Sequence, residues 1–132
     1  MTSKDATQGE PVVPRLVDVH SLAAALSSFA KERDWDQFHS PKNLVMALSG
    51  EAGELAEVFQ WMTEDASREA ARDPGMAQAV RYELADVLLY LVRLADVLGV
   101  DLNEAAQAKI KSNAAKYPVN KVRGTSIKYT KL

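Results

Sequence analysis

The chain has 132 residues, 47% of them hydrophobic and 26% charged, with a formal net charge of −2 and no cysteine. That length suits one domain with its own core, and the charge balance excludes a polybasic nucleic-acid binder. The lack of cysteine excludes a disulfide framework, and no apolar run reaches the length of a membrane span. With no secretory signal legible, a cytoplasmic protein is expected.

Residues 1–15 are rich in Thr, Ser, Gln, Gly and Pro and read as a disordered leader, leaving 16–132 as a single domain. A first helix is predicted over Val17–Arg33, with Val19, Leu22, Leu26, Phe29 and Ala30 on one face. The run Asp34 to His39 breaks the pattern and reads as a loop. Ser40 has the form of an N-cap with Pro41 at the first helical position, opening a second helix that runs to Met62. Residues 63–73 are polar and irregular, with room for a short helical turn. Asp73-Pro74 restarts the chain into a third helix, Met76–Leu98, which Gly99 closes. Asp101-Leu102-Asn103-Glu104 has the form of a capping box for a fourth helix, which Pro118 ends. No segment alternates with period two, so the fold expected is all-α with a four-helix core. In the third helix Leu84, Leu88, Leu89, Leu91, Val92, Leu94 and Val97 cover most of the circumference. A helix apolar nearly all round is buried nearly all round, which implies a homo-oligomer packed through it.

Two carboxylate pairs interrupt these apolar faces. Glu51 and Glu54 lie three apart on the second helix, and Glu83 and Asp86 lie three apart on the third. Residues three apart share a helix face. Glu51 falls inside the stripe of Leu44, Val58 and Met62, and Glu54 lies at its edge beside Trp61. Glu83 falls among Val87, Tyr90 and Leu94. An unpaired carboxylate taken out of water costs on the order of several kcal/mol. The only bases between Glu51 and Glu104 are Arg68, Arg72, Arg81 and Arg93. A divalent cation among the four acids resolves the repulsion; solvated surface acids are the alternative reading. Carboxylate oxygens suit Mg²⁺, Mn²⁺ or Ca²⁺, whereas zinc recruits Cys or His, and the only histidines are His20 and His39. Mg²⁺ bound by a few carboxylates commonly also binds substrate phosphates, so metal-assisted chemistry on a phosphorylated substrate is expected.

The basic residues gather at the other end. Residues 105–132 carry Lys109, Lys111, Lys116, Lys121, Arg123, Lys128 and Lys131 and no acid. These cations suit phosphate oxygens that a metal leaves free, or pair with the acidic helices of the same fold.

The blocks Glu32-Arg33-Asp34-Trp35-Asp36-Gln37-Phe38-His39, Glu51-Ala52-Gly53-Glu54-Leu55-Ala56-Glu57, Phe59-Gln60-Trp61 and Glu83-Leu84-Ala85-Asp86-Val87-Leu88 carry a resemblance, as do Lys116-Tyr117-Pro118 and Lys128-Tyr129-Thr130. The chain resembles the dCTP pyrophosphatases of the MazG-like, all-α nucleoside triphosphate pyrophosphohydrolase superfamily over roughly residues 19–131. The resemblance implies hydrolysis of a dNTP, dCTP or a modified dCTP, to dNMP and pyrophosphate, cleansing the nucleotide pool. It implies that Glu51, Glu54, Glu83 and Asp86 hold Mg²⁺, with Mn²⁺ as a substitute. Glu51 or Glu54 is the expected general base. Trp35, Phe38, His39, Trp61 and Tyr90 are expected to line the nucleotide pocket, and Lys109, Asn113 and Lys116 to serve the phosphates. A tetramer built as a dimer of dimers is implied, with no nucleic-acid polymer and no membrane as partner. At Leu26 the chain departs from the eukaryotic members, which place there a histidine that helps read the base. Leucine neither donates nor accepts a hydrogen bond, so a broader pyrimidine or modified-dCTP preference is expected in place of a strict one for cytosine. The alternatives are a non-hydrolytic nucleotide or metal sensor, or a phosphohydrolase with another base preference.

Overall fold

Side-chain oxygens set three of the helix starts. Ser40 Oγ accepts from Asn43 N at 3.2 Å, Thr63 Oγ1 from Ala66 N at 3.1 Å, and Asp101 Oδ1 from Glu104 N at 3.0 Å. The computed structural model describes residues 15–132, which are helical, with no strand among the described residues. The leader expected over 1–15 falls on residues outside this range, apart from Arg15. In chain order the helices are α1 (His20–Glu32), α2 (Pro41–Phe59), α3 (Glu64–Arg68), α4 (Ala77–Leu98), α5 (Leu102–Lys116) and α6 (Val119–Val122). Short 3₁₀ turns occupy Asp36–Phe38 and Tyr129–Lys131.

The all-α expectation holds, and the differences lie at the ends. The first helix begins at His20 rather than Val17, because Leu16 N and Val17 N donate to Asn103 Oδ1 at 2.9 and 3.1 Å instead of entering a helix. The second helix stops at Phe59, three residues short of Met62. There Met62 N turns back to Phe59 O at 3.0 Å, and Thr63 at once caps α3. Gly99 ends α4 as expected, at φ 69°, a left-handed conformation that glycine adopts without Cβ strain. Beyond Pro118 the chain makes the extra turn α6 rather than running free.

The packing is organised on α4. The most extensive contact is α2 along α4, and the second is α1 on α4; α5 has no comparable packing on any helix. The buried apolar residues are Ala30, Leu44, Ala70, Val80, Val92 and Ala95, drawn from those elements and the turn after α3. Leu84, Leu88 and Leu91, at successive turns of α4, remain exposed in the single protomer. Replacing Leu44, 2% exposed, with Ala should lower stability by about 2–5 kcal/mol with helical circular dichroism retained. Urea unfolding checks this, and an unchanged midpoint would count against α2–α4 as the core.

Candidate functional site

Glu51 sits in the middle of α2, and Glu83 and Asp86 sit in the first half of α4. Since α2 lies along α4, side chains on the facing stripes must meet. One carboxylate oxygen from each of Glu51, Glu83 and Asp86 lies within 4.8 Å of the others. Two unit charges about 4 Å apart repel by on the order of 4 kcal/mol in a partly screened site. Glu51 Oε2 and Glu83 Oε2 are also buried with no hydrogen-bond partner. No ion pair among the described residues includes Glu51, Glu54, Glu83 or Asp86.

Protonation relieves part of this stress. Burial is the largest cause that raises the Glu51 carboxyl to about 7, followed by the neighbouring Glu54 and then the charges of Asp86 and Glu83. Glu83 is raised as well, first by burial and then by the charges of Glu54 and Asp86. Glu54 is exposed and outside the three-oxygen cluster, yet close enough to act on both neighbours. Orphaned, converging carboxylate oxygens are the donor set that a hard divalent cation takes. The residues present therefore fit such an ion.

A small cavity of about 170 Å³ opens beside the acids and shares Asp86 with them. Leu26, Phe29, Trp35, His39, Leu89, Tyr90 and Arg93 complete its wall. Phe29 comes from α1 and Tyr90 from α4, while Trp35 and His39 come from the turn after α1. Asp34, at φ 54°, reverses the chain, and Gln37 Nε2 fixes the turn by donating to Asp34 O at 3.0 Å. Trp35 then stands edge-on to Phe29, with centroids 5.8 Å apart. The Arg33 guanidinium covers the Phe29 ring 3.5 Å from its centroid.

Arg93 ties this turn to α4. It is 8% exposed; its Nη2 donates to Asp36 Oδ1 at 2.8 Å and its Nε to His39 Nδ1 at 3.1 Å. Burial, then the Arg93 charge, lowers the His39 imidazole against the opposing effect of Asp36. Sequence reasoning counted Arg93 only as one of few bases and passed over Phe29 as core. The signal for Arg93 was its spacing: Asp86, Tyr90 and Arg93 fall on one face of α4.

The other expected residues stand elsewhere. Phe38 is 58% exposed; its backbone N donates to Trp35 O at 2.9 Å and its carbonyl accepts from Asn43 Nδ2 at 3.0 Å. Trp61, left beyond the shortened α2, is 90% exposed. Lys109 and Asn113 are exposed on α5, and Lys116 Nζ lies 5.0 Å from the Tyr129 ring centroid. None of these five lines the cavity beside the acids. A larger cavity of about 530 Å³, between Arg15–Ser21 and the α4–α5 corner, contains none of the four acids. Its size does not make it the site, because it lacks converging unpaired groups.

Residues 46–132 match the MazG-like family. Over 119 residues, 90% of this chain, the sequence is 48% identical to dCTP pyrophosphatase 1 of Mus musculus and 47% identical to that of Homo sapiens, covering 68% of each relative. Among solved structures, a pyrophosphatase from Archaeoglobus fulgidus DSM 4304 is 35% identical, with a TM-score of 0.71 over 81% of this chain and 98% of that one.

The raised carboxyls make a pH prediction. Glu51 binds its proton more tightly folded than unfolded, so its contribution to stability is full below 4.5 and is lost as pH rises through about 7. The metal-free protein should therefore lose melting temperature from this group over that window, and millimolar Mg²⁺ should restore it at the upper end. Calorimetric melting with chelator and with Mg²⁺ checks this. Equal melting curves at high pH would contradict a cation among these acids.

Proposed function

The chain belongs to the MazG-like family and is a nucleoside triphosphate pyrophosphohydrolase, and on that premise we propose that it hydrolyses a dNTP, dCTP or a modified dCTP, to dNMP and pyrophosphate with Mg²⁺. The observation that carries this reading is the pair of orphaned oxygens on Glu51 and Glu83, clustered with Asp86 at the rim of an aromatic cavity. Glu51, Glu83 and Asp86 hold the cation, with Glu54 beside them; Mn²⁺ is a substitute. The ion supplies charge neutralisation at the phosphoryl oxygens and a more acidic water.

The chain's own residues do the rest. Glu51 or Glu54 accepts a proton from the attacking water, and Glu54, exposed beside the clustered oxygens, is open to it. The water oxygen bonds to the α-phosphorus, and the bond from it to the β-phosphate oxygen breaks, leaving with pyrophosphate. Trp35 and Tyr90 flank the base, and stacking of this kind is worth ~1–3 kcal/mol per base in other nucleic-acid sites. His39 offers the base a polar contact, and the exposed Phe38 and Trp61 extend the nucleotide pocket beyond the cavity wall. Lys109 and Lys116 offset phosphate charge, and the Asn113 amide donates to a phosphate oxygen.

Assembly supports this division of labour. The open Leu84, Leu88 and Leu91 face of α4, and an α5 with no extensive packing on any helix of the described residues, favour a homotetramer built as a dimer of dimers. No helix of the described residues is long and apolar enough to cross a membrane. We read residues 16–132 as one domain, in a cytoplasmic protein acting on the nucleotide pool. Leu26 lines the cavity wall, so the departure from the eukaryotic members falls within the pocket and favours a base preference other than strict dCTP.

Glu51→Gln should lower kcat by at least about 10²-fold while leaving a folded protein. The check is an assay of pyrophosphate and orthophosphate, measured separately, with each dNTP and Mg²⁺. Orthophosphate as the sole primary product would contradict attack at the α-phosphorus.

A further inference from the structure

Arg93 is spent on two partners that come from the aromatic turn, and one of them is a ring nitrogen. Its Nε–H points at His39 Nδ1 at 3.1 Å while its Nη2 holds Asp36 at 2.8 Å. A nitrogen that accepts a hydrogen bond carries no proton, so a neutral His39 must carry its single proton on Nε2. The second ring nitrogen is then a donor, on a residue that helps wall the small cavity. In that wall Leu26, Phe29 and Leu89 offer no hydrogen bond, and besides His39 and Arg93 the polar groups are the Trp35 indole N–H, the Tyr90 hydroxyl and the Asp86 carboxylate.

We propose that Arg93 is a positioning residue for base recognition: it locks His39 as the Nε2–H tautomer, so the cavity presents a donor and selects a base edge bearing an acceptor, such as a ring carbonyl oxygen. This rests on the proposed dNTP reading. The selection is made through the α4 guanidinium and the imidazole, and needs nothing polar at residue 26. Arg93 shares the cavity wall, but it is 8% exposed, with Nε and Nη2 engaged by His39 and Asp36 and Nη1 3.7 Å from Asp96 Oδ2, so it acts on the base through His39. The lowered imidazole fits this role, since a doubly protonated ring would have to give up the Arg93 contact.

The test is ¹⁵N NMR of histidine-labelled protein at neutral pH, without nucleotide, on the full chain. The chain has two histidines, and His39→Gln assigns the signals. Wild type should show His39 as a single Nε2–H tautomer. Arg93→Ala should give a mixture of tautomers, with KM for dCTP raised about tenfold and kcat changed less than about threefold, the scale of one misdirected hydrogen bond. His39→Gln, whose amide nitrogen falls near the Nε2 position, should keep KM closer to wild type than His39→Asn does. Should Arg93→Ala fail to fold, Arg93→Lys retains the charge and should still lose the single tautomer. A wild-type proton on Nδ1, or unchanged tautomer and KM in the Arg93 variants, would overturn the proposal. Absence of turnover in wild type would count against the proposed reaction alone, because the imidazole signals are read without substrate.

Discussion

The contact of α2 along α4 is what every other feature depends on. Hydrophobic burial of residues such as Leu44 and Val92 drives the two helices together. In doing so it forces Glu51 against Glu83 and Asp86, whose oxygens converge within 4.8 Å. The core and the electrostatic stress are one arrangement: the burial that builds the first creates the second. Burial raises Glu51 and Glu83, so the metal-free protein relieves part of the stress with protons. A divalent cation relieves it better, because it supplies charge and coordination to both orphaned oxygens at once.

Successive turns of α4 then carry distinct tasks. Glu83 and Asp86 face the acids of α2, Tyr90 lines the cavity one turn later, and Arg93 lies beyond it. The two kinds of charge on this helix differ in one respect that decides their roles. Arg93 is buried but paired, whereas Glu83 is half-buried with one oxygen unpartnered. A satisfied charge holds structure in place, and an unsatisfied one waits for a ligand. Arg93 thereby docks the Trp35-bearing turn against the same helix that holds the acids, which places the small cavity next to the acidic cluster.

Much of this was legible in the sequence, for reasons of periodicity. Helical phase put Glu51 and Glu83 inward, and the caps Ser40 and Asp101 and the stop at Gly99 stand where local chemistry asked for them. What escaped was set by long-range partners. Arg93 meets Asp36 and His39 across 57 and 54 residues, and no local pattern reports such a pairing. The end of α2 was misjudged because the apolar stripe continues through Met62, while the Thr63 cap four residues past Phe59 competes for the backbone and leaves Trp61 outside. The polar run 63–73 gave little sign of α3 beyond that same threonine. The lysines of α5 could be placed on a helix, but not against the acids, since α5 has too little apolar surface to specify what it packs on.

The most direct measurement is a crystal structure of the protein soaked in Mn²⁺, with anomalous scattering used to locate the metal. The account predicts an anomalous peak between α2 and α4, within coordination distance of Glu51, Glu83 and Asp86, with both formerly orphaned oxygens engaged. Saturating Mn²⁺ that leaves these carboxylates uncoordinated, or that binds only elsewhere on the protein, would contradict it.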